Sequence, residues 1–593
     1  MRDFLAPVGQ VPDSQVSPTM PTLNVSGLNV VIAVLGAFIT LYAFFSVKIK
    51  NKWYLGEALP AVVVGIIFGP YAARFLDATE WGSAIRGQQD AITLGMCRVV
   101  IGVQLLIVGF QLPAKYQLHR WKEMFVCLIP NMTLMWLCTS ACVFLVVPEL
   151  PLLSSLVIGA CVTSTDPILS QAIAKGPFAD RYVARDLREL ISSEAGANDG
   201  FGFPFLMLAT YLIRYTQGDP DQNTAHAHRD LHIRAGDVGH QHGGLGKAME
   251  LWFVETLLYY VIMGAVYGAV LGYTSMMALR YTLRKKWIDT ESYLLFPTAL
   301  GLFIIGTCGC IGTNDLLACF SAGVALNWDG GFLAETEARH DEVNPCIDVL
   351  LNFGGFMYIG AVIPWDDFHQ PDTSGITWPR LLLLGVLVLL FRRIPSTLAL
   401  YKFIPKCCKN WREALFMGYF GPIGIGAVFY AEHAAHLFPA VGEGSEMETV
   451  LMRDLKPTIY FLVIFSILVH GLSIPILSII YQLLNVPPEI DPLGPAEVRR
   501  LSVNTHLPPN SALEPRQRSI LMYNRFSRTK FPANIGWHLP HFKSVHTDRD
   551  GHFSRVDSIQ LGGRSTGGAN TSGGGHGASG VGSPHEMHPI HGL

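Results

Sequence analysis

The chain has 593 residues, 50% of them hydrophobic and 15% charged, with a formal net charge of −3 and a mean hydropathy of +0.33. A soluble protein carries roughly a quarter charged residues, so the composition excludes a soluble globular enzyme and describes a chain that crosses a membrane many times. The 11 cysteines lie in or beside apolar runs between Cys97 and Cys408 and read as small buried hydrophobes with no disulfide framework; no cofactor and no nucleic-acid partner are expected.

Residues 1–27 form an external N-terminal segment without the short apolar core and basic start of a cleavable signal, so the first span is expected to target the chain. Runs long enough to cross about 30 Å of hydrocarbon follow near 28–47, 55–75, 91–112, 124–147, 151–174, 187–214, 251–279, 291–309, 312–327, 345–364, 379–400, 411–431 and 456–484, thirteen in all. The fifth is interrupted by Thr163-Ser164-Thr165-Asp166-Pro167 and the twelfth by Gly421-Pro422-Ile423-Gly424-Ile425-Gly426. Proline removes a backbone donor and clustered glycine weakens a helix, so both spans are predicted to unwind inside the membrane. Bare backbone at that depth is tolerated only where it lines a cavity or is buried in protein.

Spans five and twelve are seven apart, the offset expected of two repeats, spans 1–6 and 8–13, joined by span 7. Interrupted helices at matching positions of two repeats point to a secondary transporter's binding site; two independent proline kinks are the alternative. The predicted fold is therefore an all-α polytopic membrane protein over residues 28–485, with inverted repeats and discontinuous crossing helices.

Between spans six and seven, residues 215–250 form an external loop with His226, His228, His232, His240 and His242, read as solvated because no fixed ligand frame accompanies them. Residues 486–593, rich in Pro, Ser, Gly and Arg and ending in Gly/His low complexity, read as a disordered cytoplasmic tail open to regulatory proteins. Lysine and arginine concentrate in the loops after spans 1, 3, 5, 7 and 11, which places those loops in the cytoplasm and the N-terminus outside. Cys407-Cys408, among lysines just past span eleven, are candidates for palmitoylation.

Span six carries Ser192-Ser193-Glu194-Ala195-Gly196-Ala197-Asn198-Asp199-Gly200. An ionised aspartate at the centre of a bilayer helix costs about 2.5–3.5 kcal/mol on insertion scales, so one retained there is a functional-site hypothesis. Glu194 and Asn198 share a helix face, whereas Asp199 points roughly 140° from Glu194. One carboxylate can thus meet a protein cation while the other faces a cavity. A buried carboxylate without a fixed counter-ion resists ionisation and is poised to trade a proton for a small cation. Hard cations want oxygen ligands, and Asp199, Asn198, Asp166, Thr165 and unwound carbonyls supply them.

Arg392 and Arg393 lie deep in span eleven, too far from its ends for both to snorkel, and one of them is expected to pair with Glu194 in a static bridge. Arg98 in span three is a further buried cation. Asp315, following Asn314 at the start of span nine, reads as a helix cap or, with Asn314, as a second cation site. Glu57 and Asp348 near span starts read as caps or interface residues, and His470 as a packing histidine.

These residues, with Gly56-Glu57-Ala58-Leu59-Pro60, Gly65-Ile66-Ile67-Phe68-Gly69-Pro70 and Arg393-Ile394-Pro395, resemble the monovalent cation/proton antiporter superfamily, and within it the fungal plasma-membrane Na⁺/H⁺ antiporters, over residues 25–485. The resemblance implies a homodimer in membrane lipid, with dimerisation and core domains that move against each other and a cation site where the broken helices cross. It implies Asp199 as the essential cation- and proton-binding acid, with Asn198, Thr165 and Asp166 beside it, the transported Na⁺ held by Asp199 and Asp166, and Glu194 paired with Arg393. Fungal members often carry two consecutive acids where this chain has Asn314-Asp315. The expected activity is secondary active export of Na⁺, Li⁺ and K⁺ in exchange for H⁺ at the plasma membrane. A cation channel would need a continuous filter of carbonyls or acid rings, and a non-transporting sensor would carry a substitution at Asp199; neither feature is visible.

Overall fold

The computed structural model describes residues 27–78, 87–174, 177–216, 243–339 and 341–486, and four short strands beyond them. The expectations for the N-terminal segment, for His226 through His242 and for most of the tail fall outside the described residues. In the tail, Ser511–Leu513 pairs antiparallel with Ile520–Met522, and Val545–Thr547 with Phe553–Arg555.

Helices follow the predicted spans in order. They are α1 (Gly27–Val47), α2 (Ala58–Phe68), α3 (Gln88–Gln111), α4 (Trp121–Val146), then α5 (Leu152–Cys161) and α6 (Pro167–Ala174) around the first break. Next come α7 (Arg185–Asn198) and α8 (Phe203–Thr216) around a short kink, α9 (Gly244–Lys285), α10 (Thr290–Ile311), α11 (Asp315–Leu326) and α12 (Val343–Ala361). The last are α13 (Trp378–Phe403), α14 (Trp411–Tyr419) and α15 (Ile425–Leu437) around the second break, and α16 (Glu446–Leu483). Counting α5 with α6, α7 with α8 and α14 with α15 as interrupted spans gives thirteen segments among the described residues. Among the described residues, seven helices are long and apolar enough to cross a membrane individually, or eight with the bent pair Asp315–Leu326 and Gly331–Ala338.

Packing sorts these helices into two bundles. In one, α9 packs on α11, α11 and α10 on α3, and α12 on α2. In the other, α4 packs on α5 and α13, α8 on α5, α6 on α7 and α15 on α16. The bundles meet where α3 lies against α15 and where α8 lies against the first turns of α9.

The first bundle is held by small residues. Gly264, Gly268 and Gly272 recur every four positions on α9 and so share one face. Gly264 lies against Asn314, and a Cβ on Gly268 or Gly272 would overlap the carbonyls of Ala318 or Ala322 on α11. On the opposite side of α11, Gly323 meets Gly109 and the Leu106 carbonyl of α3. Lipid tails are as apolar as leucine, so membrane helices associate through such close approach rather than through the hydrophobic effect. The short helix α11 is clamped between two long ones.

Cys407 and Cys408 are each 1% exposed. As candidates for palmitoylation they present no accessible thiol, because the turn after α13 folds both side chains inward.

Gly268→Val places a branched side chain where no Cβ fits, and should destabilise the protein by about 1–3 kcal/mol, the usual range for overpacking. The measurement is the thermal unfolding midpoint in detergent, with Gly306→Val, at an α10 position bordered by open space, as a control that should stay close to the parent.

Candidate functional site

The two interrupted spans cross at their breaks. Residues 162–166 and 420–424 are unwound, and the Asp166 backbone N–H donates to the Pro422 carbonyl at 2.9 Å, joining one unwound segment to the other. Four half-helix ends converge here. The starts of α6 and α15 present unpaired amides with partial positive charge, and the ends of α5 and α14 present carbonyls with partial negative charge.

Asp166 answers the first pair. Its Oδ1 accepts from the Ile168 and Leu169 amides at 2.9 Å each, and its Oδ2 from the Ile425 amide at 2.8 Å. Arg392 answers the second pair: Nη1 donates to the carbonyls of Val162 and, at 3.2 Å, Ser164, while Nη2 donates to that of Gly421. Gly424 makes the approach possible, since a Cβ there would overlap the Asp166 carboxylate. Asp166, expected as a cation ligand, thus has both oxygens engaged by backbone amides.

The end of α7 delivers Asn198 and Asp199 to the crossing. Asn198 Nδ2 donates to Thr165 Oγ1 at 2.8 Å, and its Oδ1 accepts from the Thr165 amide at 3.2 Å, so both ends of the side-chain amide clamp unwound backbone. Asp199 is 0% exposed, and neither carboxylate oxygen has a hydrogen-bond partner. The Asp166 carboxylate and the Ser164 hydroxyl are polar neighbours, and neither makes a hydrogen bond of good geometry to it. Its carboxylate rests against Gly426, where a Cβ would stand 2.8 Å from Oδ1. The Tyr430 hydroxyl donates to the Asp199 backbone carbonyl at 2.5 Å and fixes the residue from the α15 side. A buried ionised group with no donor loses its hydration without replacement. Such a carboxylate is satisfied by a proton or by a bound cation.

Glu194, one turn earlier on α7, is paired. Arg393 Nη2 lies 2.6 Å from Glu194 Oε2, both side chains buried, and Arg393 Nε donates to the Met417 carbonyl at 3.0 Å. The neighbouring arginines therefore divide the work, Arg393 matching a carboxylate and Arg392 matching carbonyls.

Asp315 Oδ2 lies 2.7 Å from Arg98 Nε. Asn314 caps α11, its Oδ1 accepting from the Leu317 amide at 3.0 Å, and its Nδ2 donates to the Gly200 carbonyl at 2.6 Å. The two residues expected as a second cation site are thus an ion-paired acid and a helix cap that ties α11 to the turn carrying Asp199. Glu57 takes Lys50 at 2.5 Å and Asn352 at 2.9 Å, and Asp348 accepts from Gln104 at 3.1 Å, all within the first bundle. His470 Nε2 lies 3.0 Å from the Tyr419 carbonyl, and Ser466 Oγ accepts from the Ile423 amide at 2.7 Å, so α16 braces the second break.

One cluster escaped the sequence reading. Lys456 Nζ lies 2.6 Å from Asp90 and 3.0 Å from Glu432, and the Tyr460 hydroxyl donates to Glu432 at 3.0 Å. The signal available was a lysine and a glutamate inside otherwise apolar helices.

Glu194→Ala strands the Arg393 charge, and loss of one partner from a buried bridge costs on the order of 3–5 kcal/mol. The melting temperature should fall sharply, and the double variant Glu194→Ala/Arg393→Met should recover part of the loss.

Comparison with known proteins places this geometry. The transmembrane sodium/hydrogen exchanger family profile matches residues 34–479. A probable Na⁺/H⁺ antiporter of Schizosaccharomyces pombe is 38% identical over 463 residues, 76% of this chain and 56% of its own length. Na⁺/H⁺ antiporter 2 of Zygosaccharomyces rouxii and the Na⁺/H⁺ antiporter of Saccharomyces cerevisiae are each 35% identical over 77% of this chain, and over 54% and 44% of their own. The chain spans about half the length of these curated relatives. The solved sodium proton antiporter MjNhaP1 of Methanocaldococcus jannaschii shares the fold, with a TM-score of 0.50 at 16% identity over 76% of this chain and 99% of that one. These relatives are named as transporters and not as enzymes.

Proposed function

Because the chain belongs to the sodium/hydrogen exchanger family, we propose that it is a secondary antiporter that exports Na⁺, together with Li⁺ and K⁺, in exchange for H⁺ through the carboxylate of Asp199. One observation carries this reading. At the crossing Asp166 is matched by amides, Arg392 by carbonyls and Arg393 by Glu194, while the fully buried carboxylate of Asp199 has no partner.

Competition at that carboxylate makes exchange obligatory. A proton and a cation cannot both neutralise it, and the bare ion is the form that hydrocarbon disfavours most. The site therefore turns from one side of the membrane to the other with either ligand and not without one. Asp199 is the cation- and proton-binding acid. Thr165 and Asn198 frame its cavity, and Asp166 adds negative charge nearby while holding the two half-helices in place. Asn314 and Asp315 act by position and not as a second cation site. The same reading sets the protein in the plasma membrane as a homodimer, with the N-terminus outside.

Asp199→Asn keeps the side-chain size and removes the alternation. In proteoliposomes under an imposed pH gradient it should abolish Na⁺-coupled proton flux while the purified protein keeps its elution profile and melting temperature; coupled flux in that variant would refute the assignment. Gly426→Ala pushes a methyl group against the same carboxylate. It should weaken Na⁺ about tenfold or more, since misplacements of the order of 1 Å carry large penalties, and half-saturating Na⁺ in the same assay measures it.

A further inference from the structure

Polar side chains cross the seam between the two bundles toward one side of the membrane. Lys456 of α16 reaches both Glu432 of α15, in its own bundle, and Asp90, in the first turn of α3 in the other. Nearby on the seam, the Tyr211 hydroxyl of α8 donates to Glu255 of α9 at 2.6 Å, and Trp252 Nε1 donates to the Pro204 carbonyl at 2.7 Å. Asp90 lies in the first turn of α3, Lys456 and Glu255 are the eleventh and twelfth residues of α16 and α9, and Glu432 and Tyr211 each lie five residues before the end of α15 and α8. These ends share the side that the distribution of basic loops assigns to the exterior.

The three charges are not equivalent. Glu432 is 1% exposed and lies six residues, about 9 Å, along α15 from the glycine that touches Asp199. A carboxylate so buried stays ionised only beside its cation, and losing that partner is costly. The Asp90 side chain keeps 39% exposure and sits at a helix start, where a negative charge is favoured without any partner. It can release Lys456 to water at small cost. The ammonium is thus a permanent part of the bundle with the interrupted spans, and its hold on Asp90 is the part that can open.

We propose that Lys456 is a positioning residue that fastens the two bundles together on the Asp90 side while Asp199 is turned away from it, and that the Lys456–Asp90 contact breaks each time the site turns to that side. The proposal rests on the exchange reading, because a carrier that alternates must open this seam once per cycle. Tyr211 and Trp252 fasten a neighbouring stretch of the same seam.

Asp90→Asn tests it, since it removes the charge that crosses the seam and leaves the Lys456–Glu432 pair intact. Hydrogen–deuterium exchange on the purified full chain should show amides of α15 and of the first half of α3 exchanging about threefold to tenfold faster, with α9 and α11 unchanged and the melting temperature close to the parent. In oriented proteoliposomes the variant should need less Na⁺ for half-saturation on the Asp90 side and more on the other, because the two faces share one equilibrium. Lys456→Arg with Asp90 intact, which keeps the bridging cation, should retain parental behaviour in both measurements. Unchanged deuterium exchange along α3 and α15, or an increase spread over every helix, would overturn the proposal. The deuterium measurement needs no transport, so a parent that exchanges no Na⁺ would remove the function reading while this contact is still judged separately.

Discussion

Unwinding two helices inside hydrocarbon sets free backbone groups that cannot turn to water, and the site depends on how those groups are matched. Asp166 takes amides at the starts of two half-helices, and Arg392 takes carbonyls beyond the ends of the other two. Each ion meets the helix-end charge of opposite sign. The helix-end charges at the crossing are thus matched within the chain, and the Asp199 carboxylate is left without a hydrogen-bond partner.

Four buried carboxylates around this centre differ in their neighbours. Glu194 faces a guanidinium, Asp315 another, Asp166 three amides, and Asp199 none. Desolvation of both ions leaves a buried pair little net stability, so the value of Glu194–Arg393 lies in placement. It fixes α7 against α13, and five residues further on α7 presents Asp199. Asn314 does similar work from the other bundle by holding the Gly200 carbonyl.

The two bundles are also held by unlike forces. Inside the first, glycines let backbones touch along α9, α11 and α3, a contact that cannot slide without opening voids. At the seam near Asp90, charges and hydroxyls meet at partly exposed positions, where water can replace a partner. Motion between bundles is cheaper there than motion within one, and it would carry the crossing with its ligand as a unit.

Thirteen apolar runs, two interruptions and an aspartate with no place in a bilayer were legible in the residues, because hydrocarbon thickness, proline and glycine chemistry and the cost of a buried charge all act locally. The glycine repeat of α9 was present too, although nothing local says which helix it meets. Tertiary structure decided the rest. Glu194, for which the residues offered Arg392 or Arg393 and the family resemblance Arg393, pairs with Arg393 across 199 positions, while Asp166 reaches the Ile425 amide across 259 and Lys456 finds Asp90 across 366 without any such signal. A carboxylate that binds cations and one that caps helices are the same group in a sequence. Which donors surround each is set by how distant helices pack, and that packing left Asp199 as the acid without a partner.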